Sequence, residues 1–513
     1  MKKSILFVLF VANSLWVFSQ NEKVIPERKT QKGFFSIDYL AVDMPANPLG
    51  ADEIHLGLTG IHYNLNFNNF YAGLGMYGSV RGIRGGLFTL GIDAGYKAYF
   101  NKHLFLDTGF HFGGGGGAGA PDGGGAFILP HMNIGVQFDK FSLSTGYSYI
   151  NFFDGGNIKN QQLNIALQIP LSLDYATKGT AEKEFDVGSL RNSDWNKKAK
   201  RFSFMMHLNN LSVSGNSKDT NGISLNGSTI RLAGFELNSY VDKHWFFFAK
   251  FDGAYDGIPA GYMNVLLGGG HHFSLNKNRT NILAKFGVGA GGGGVDTKGG
   301  VLIYPDISIE QHITNNVYLS INKGFLMSPN SFFTSATFGI GLKYYSDING
   351  VKDYNENAKV TFKGFEVVIK QDVYLNAKRK LNPTENLYQI SVQLNYHLNK
   401  NVYLAGQTSF ANFGNAGAYA EGLVGIGYQT NYFLKKKVTV FAQAIAGGAG
   451  GGDISTGEGL IIKPSIGMNY NLTEKYMLRS SIGYVKAKGG SLSSPTFSLG
   501  LSYNFAFLNG KKS

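Results

Sequence analysis

The sequence predicts an all-β fold: a transmembrane antiparallel up-and-down β-barrel of about 24 strands, arranged as three eight-stranded units. Three observations lead there. Apolar and polar side chains alternate along short segments, tight connections alternate with long ones, and one set of Gly–Asp–Pro landmarks occurs three times in order. Composition agrees, with 70 Gly, 40 Phe and 28 Tyr in 513 residues and only 16% charged. Mean hydropathy is −0.09, which suits short alternating strands better than helices. The 43% apolar content is ample for burial and argues against disorder.

The landmarks recur at a spacing of roughly 160–175 residues. In the first copy they are Gly113 to Gly117, Asp122, Gly123 to Gly125, and Phe127-Ile128-Leu129-Pro130. The second has Gly291 to Gly294, Asp296, Gly299-Gly300, and Val301 to Pro305. The third has Gly450 to Gly452, Asp453, Gly457, Gly459, and Leu460 to Pro464. A second landmark precedes each set: Gly95-Tyr96, Gly270-His271 and Gly427-Tyr428. The division expected is a signal peptide at 1–20, units at 33–174, 200–346 and 360–505, linkers at 175–199 and 347–359, and a tail at 506–513.

Strands of the first unit are expected at 34–43, 53–66, 69–79, 87–100, 103–113, 125–137, 141–151 and 161–174. Alternation is cleanest in the last strand of each unit. Leu163, Ile165, Leu167, Ile169 and Leu171 share one face; Phe338, Ile340, Leu342 and Tyr344 repeat this, as do Phe497, Leu499, Leu501, Tyr503 and Phe505. Successive strand residues point to opposite faces, so each strand has one apolar and one polar wall.

A soluble sandwich has the same period with its apolar face inward, and three further features favour a bilayer. Tight turns such as Asn68-Asn69, Asn101-Lys102, Asp139-Lys140, Asp242-Lys243, Asn315-Asn316 and Asn399-Lys400 alternate with longer Gly-rich loops, as expected of periplasmic turns and external loops. Aromatics crowd the tight turns, including Phe70, Tyr71, Tyr99, Phe100, Phe138, Phe141, Tyr240, Trp245 and Tyr403. Rings with a polar tip favour the headgroup level, so these read as an aromatic girdle. Finally, the last strand carries Gly500, then Tyr503, and finishes at Phe505. It resembles the terminal assembly signal of Gram-negative outer-membrane β-barrel proteins, a resemblance of pattern shared by many functions. The resemblance implies the outer membrane as location, its lipids as neighbours and the barrel-assembly machinery as a partner.

A sheet in hydrocarbon must close, because lipid offers no hydrogen-bond partners to an edge. Two closures fit: three small barrels, or one wide 24-stranded barrel with a porin-like lumen. The polar linkers at unit boundaries favour three small barrels. Both signs of charge on the inferred inner faces (Glu310, Lys323 and Lys343; Glu421, Lys463 and Arg479) fit a filled interior or a channel wall.

The N-terminus reads as an export signal: Lys2 and Lys3, an apolar run Ile5 to Phe18, then Ser19 and Gln20, with cleavage expected near Gln20. With no Cys there is no disulfide framework and no Cys-ligated metal. The formal charge of +13 points to lipid phosphates, since export argues against nucleic acid.

Chemistry is sparse. The Gly runs lack a following Gly-Lys-Ser/Thr and lie between strands, so they are not phosphate loops. Gly291 to Asp296 matches half of a calcium-binding Gly-Gly-x-Gly-x-Asp repeat, once only. His271 and His272 are neighbours on a strand and point apart. His111, His131, His312 and His397 read as interior residues. Where a lipid deacylase would carry His-Tyr-Ser-Asn, this chain has Ser148-Tyr149-Ile150-Asn151, without the base. No catalytic, cofactor or metal residue is therefore expected. The expected role is a non-enzymatic structural or binding barrel, within a larger envelope assembly, with Asp122, Asp296 and Asp453 as candidate external loop contacts. The alternative is a porin-like channel for small polar solutes; a lipid-active enzyme ranks third.

Overall fold

The computed structural model describes residues 24–46, 53, 55–258, 261–314, 316–435 and 437–510. The expected signal peptide and its cleavage point lie outside these residues.

Twenty-five strands are present among the described residues. The first ring contains β1 (Lys29–Val42), β2 (Leu56–Phe67), β3 (Phe70–Arg81) and β4 (Phe88–Tyr99). It continues with β5 (Leu104–Gly116), β6 (Phe127–Gln137), β7 (Ser142–Phe152) and β8 (Lys159–Tyr175). After a short strand β9 (Glu184–Asp186), the second ring holds β10 (Lys200–Ser214), β11 (Thr229–Tyr240), β12 (Trp245–Asp256) and β13 (Met263–Leu275). Its other half is β14 (Thr280–Gly292), β15 (Val301–Thr314), β16 (Val317–Met327) and β17 (Thr334–Ile348). The third ring starts with β18 (Lys359–Ala377), β19 (Glu385–His397), β20 (Val402–Phe413) and β21 (Ala420–Gln429). It ends with β22 (Val438–Gly450), β23 (Leu460–Asn471), β24 (Tyr476–Ala487) and β25 (Ser493–Gly510).

All pairings are antiparallel between neighbours, and each group of eight closes on itself. In the first, Phe34 of β1 pairs Pro170 of β8 and Asp38 pairs Ala166. In the second, β10 runs along β17 from Lys200–Ile348 to Ser214–Thr334. In the third, β18 runs along β25 from Val360–Gly510 to Tyr374–Thr496. The 24 long strands therefore do not form one wide barrel. Among the described residues, strands of different rings pair where Asp347 and Ile348 meet Gly510 and Asn509, and Ala176 after β8 bridges to Ala506.

The walls follow from period two. Inner faces combine polar side chains with a buried apolar cluster in each ring, such as Leu40, Val42, Leu58 and Phe127 in the first; outer faces on the last three strands of each ring are apolar and exposed. Met132, Ile134, Tyr147, Leu163 and Ile165 form that wall in the first ring, and Ile307, Ile309, Phe338, Ile340 and Leu342 in the second. Ile462, Ile466, Ile482, Phe497, Leu499 and Leu501 do so in the third. A wall this apolar is unfavourable in water.

Four sequence expectations are corrected. Lys323 lies on the outer wall beside Phe338 and Ile307, because Asn322 takes the inward position on β16. Tyr71, Tyr240 and Tyr403 are buried inside the rings, whereas Phe70, Tyr99, Phe100, Phe138, Phe141 and Trp245 are exposed. Adjacent strand residues cannot share a face, so only one of Phe70 and Tyr71 can join a girdle. Connections do not alternate strictly: 430–437, between β21 and β22, is as long as several loops at the opposite end. Finally, β25 continues past Phe505 to Gly510.

The segments between rings are packed, not loose. Phe185, Val187, Leu190, Trp195, Val351, Tyr354, Phe362 and Leu508 form one buried apolar cluster at the tight-turn end. Trp195 donates its indole N–H to Pro26 O at 2.8 Å, and β9 pairs with the start of β18.

Candidate functional site

Small barrels leave room for side chains and little else, and here the interiors are crosslinked by charge. In the second ring Lys285 lies 2.8 Å from Glu236 and 3.0 Å from Asp306, while Lys343 reaches Glu310 at 2.7 Å. Lys250 contacts Asp252 and His207, each at 2.6 Å. The third ring centres on Lys463, which donates to Asp372 at 2.8 Å, Tyr374 at 3.0 Å and Glu421 at 3.1 Å. Tyr374 and Tyr419 close this cluster by donating to Glu421. Below it, Arg479 donates to Tyr403 and Gln443. Buried charges persist only when paired and hydrogen-bonded, and these are. Of the charges expected inside, Glu310, Lys343, Glu421, Lys463 and Arg479 are inward.

In the first ring Tyr71 donates to Asp107, and Lys97 donates to Gln168 at 2.6 Å. A second layer joins Asp38, His62, Tyr77, Asp93 and His111, all inward. Sequence reasoning singled out His111 alone. His62, Asp93 and His111 come from β2, β4 and β5, and only strand parity and a shared level connect them.

The Gly-rich runs lie between the rings. The third strand of each ring meets the fifth strand of another: β3 meets β14, β12 meets β22, and β20 meets β5. These contacts form a closed head-to-tail cycle. Glycine makes the approach close. A Cβ at Gly78 would stand 2.7 Å from Ala290 Cβ, one at Gly125 2.6 Å from Ala411 O, and one at Gly448 2.8 Å from Ala254 O. Where the rings converge, Phe88 and Leu90, Val265 and Ala290, and Val392 and Phe410 pack as one apolar core.

The loop carboxylates have separate roles. Asp122 is buried, its carboxylate turned into its own loop to accept Gly117 N–H at 2.7 Å. Burial pushes its carboxyl up to about 7, against the opposing effect of the Gly117 N–H and Arg84. Asp296 is half-buried and accepts the Lys298 amide at 3.0 Å. Asp453 gathers the Leu381 and Asn382 amides and lies 3.4 Å from Arg379. Burial would raise its carboxyl, but donation from Asn382 and Leu381 outweighs that and holds it below the usual range.

Gly500 pairs with Lys370 and leaves space for its side chain. Tyr503 packs outside β25 against Tyr476, and Phe505 is buried between Tyr175 and Phe365. His271 stacks on His244 at the outer wall, while His272 faces inward and bonds Tyr240. His131 approaches Asp107, and His397 approaches Glu366. His312 is half-buried at the end of β15.

No known family profile matches the chain, and no curated sequence matches it. Solved structures similar to it include Pseudomonas aeruginosa OpdQ, at 7% identity and a TM-score of 0.22, covering 93% of this chain and 98% of that one. P. aeruginosa OccK2 (OpdF), in complex with glucuronate, gives 10% identity and 0.22, with the same coverage. The P. aeruginosa siderophore receptor PirA gives 6% and 0.27, covering 94% of this chain and 81% of that one.

Proposed function

We propose that this chain is a non-enzymatic outer-membrane protein of a Gram-negative bacterium, built from a triplicated eight-strand unit whose three barrels act as one intramembrane body. The apolar outer walls carry this reading, since nothing but lipid or a partner's apolar face satisfies them. Triplication is supported by the common strand plan and by the cyclic contact of third with fifth strands. The structural role rests on the filled interiors and the apolar junction. The loops around Asp296 and Asp453 form the contact surface for an envelope partner, and the last strand with Gly500, Tyr503 and Phe505 is what the barrel-assembly machinery engages.

A second reading has its own observation. Among the interior amides, Asn64, Asn133, Asn209, Asn238, Asn281 and Gln389 have side-chain atoms without hydrogen-bond partners, and such atoms recruit water. Hydrated polar interiors would pass small polar solutes. Planar-bilayer recording of the full chain separates the two. The structural reading expects insertion without stable unitary conductance. Large, long-lived openings overturn it in favour of a channel.

A further inference from the structure

We propose that the first ring holds a divalent transition-metal ion of the zinc class, bound by His62, Asp93 and His111. The Nδ1 atoms of both histidines converge on one carboxylate. His111 Nδ1 lies 2.7 Å from Asp93 Oδ1, and His62 Nδ1 lies 3.0 Å from Asp93 Oδ2. One ligand atom from each of the three lies within 4.8 Å of the others. Ligands about 2.0–2.2 Å from a tetrahedral ion are separated by about 3.3 Å, so small side-chain shifts admit the ion. Two imidazoles and one carboxylate are a donor set for zinc and its neighbours, with a fourth position left for water. On its far side, His62 Nε2 is 3.4 Å from Asp38 Oδ1. A carboxylate behind a ligating imidazole fixes its tautomer and raises its basicity.

The backbone makes room for this cluster. A Cβ on Gly75 would overlap the His62 ring, and one on Gly91 would lie 2.6 Å from His111 Nε2. The other rings supply the contrast. By strand register, the place of His62 is taken by Glu236 and Gln393. These bond directly to the fifth strand, Glu236 to Lys285 at 2.8 Å and Gln393 to Gln443 at 3.0 Å. The place of Asp93 is glycine in both, Gly268 and Gly425. Asp38 falls where the others carry a base, His207 and Lys370. So, among the described residues, the first ring adds two carboxylates at this level that are faced by His62 and His111 and by no lysine or arginine. A divalent cation held by the neutral imidazoles would balance those carboxylates.

The test uses the full chain without a polyhistidine tag, folded in detergent, stripped with EDTA and dialysed against zinc chloride. Metal analysis should find about one zinc per chain, and cobalt substitution should give visible bands of a nitrogen–oxygen site. Asp93→Asn, which keeps the shape, and His111→Gln should each weaken binding at least about tenfold. His207→Gln, in the second ring, should not. Folding of every variant is checked by heat-dependent gel mobility, and Asp93→Asn serves if His111→Gln fails to fold. No bound zinc in the parent, or equal binding in the parent and Asp93→Asn, overturns the proposal and leaves the cluster as imidazole–carboxylate packing.

Discussion

Asp154 Oδ2 accepts the backbone N–H of Gly414 at 2.8 Å, joining the first ring to the third across the loop end. Beside it, Gly417 N–H donates to Gly123 O at 3.1 Å. A charged acceptor makes the first bond the stronger of the two. Asp154→Ala should cost about 1.5–3 kcal/mol locally, speeding hydrogen exchange at Gly414 by about ten- to a hundredfold. Amides of β15 and β16, in the second ring, should exchange as before. Unchanged exchange at Gly414 would mean that the two loops are held by packing alone.

Asp122 makes the same region sensitive to pH. Its carboxyl is pushed from 3.8 to about 7 in the folded loop. Between those values the folded loop keeps a proton that the unfolded chain has released. The stabilisation is complete below about pH 4 and is lost as pH rises through about 7. Protection of amides at 117–126, corrected for intrinsic exchange, should fall between about pH 4 and 7 and level off above. In Asp122→Asn it should stay level. Parallel profiles for the two proteins would remove Asp122 as the cause.

Much of this architecture is legible in the sequence, for reasons particular residues show. Leu163 to Leu171 and Phe497 to Phe505 alternate without interruption, so their faces are readable at once. Strand limits in the first unit differ from the observed ones by only a few residues. Lys323 reads as inward from the sequence because its neighbours Asn322 and Gly324 are also polar or small, and a one-residue ambiguity reverses a strand's faces. The Gly runs do not show which strands pack against them, since glycine has no side chain to mark its partner. His62, Asp93 and His111 lie on three strands, far apart in sequence, and each reads as a lone interior residue. Linker residues such as Phe185 and Trp195 lacked periodicity, because their cluster is tertiary.

Lys463 contacts Asp372, Tyr374 and Glu421 in the third ring's centre, and Lys370 lies 3.5 Å from the other oxygen of Asp372. Lys463→Met should leave Glu421 without its ion pair and cost about 3–5 kcal/mol. Urea unfolding in lipid vesicles measures the loss. Adding Glu421→Gln should recover a large part of it, because the penalty comes from the uncompensated charge. Additive losses would show that Lys463 acts through its stem packing against Tyr374.

The junction between the first and second rings is tested at Gly78, whose added Cβ would stand 2.7 Å from Ala290 Cβ and 2.8 Å from the Phe88 ring. Gly78 is not among the glycines with positive φ, so a side chain there meets space limits without backbone strain. Gly78→Val should push β3 off β14 and cost about 1–3 kcal/mol, as overpacking does. The loss reads out as a lower midpoint for the heat-induced gel shift. Ala290→Gly removes the opposing methyl and, combined with Gly78→Val, should restore part of that midpoint. The same Ala290→Gly alone should lower the midpoint slightly, by opening a small gap in the core shared with Phe88 and Val265. Rescue in the double variant ties the effect to this one contact. Its absence, with both losses simply adding, would place the strain on Phe88 and leave the fit of β3 on β14 unsupported.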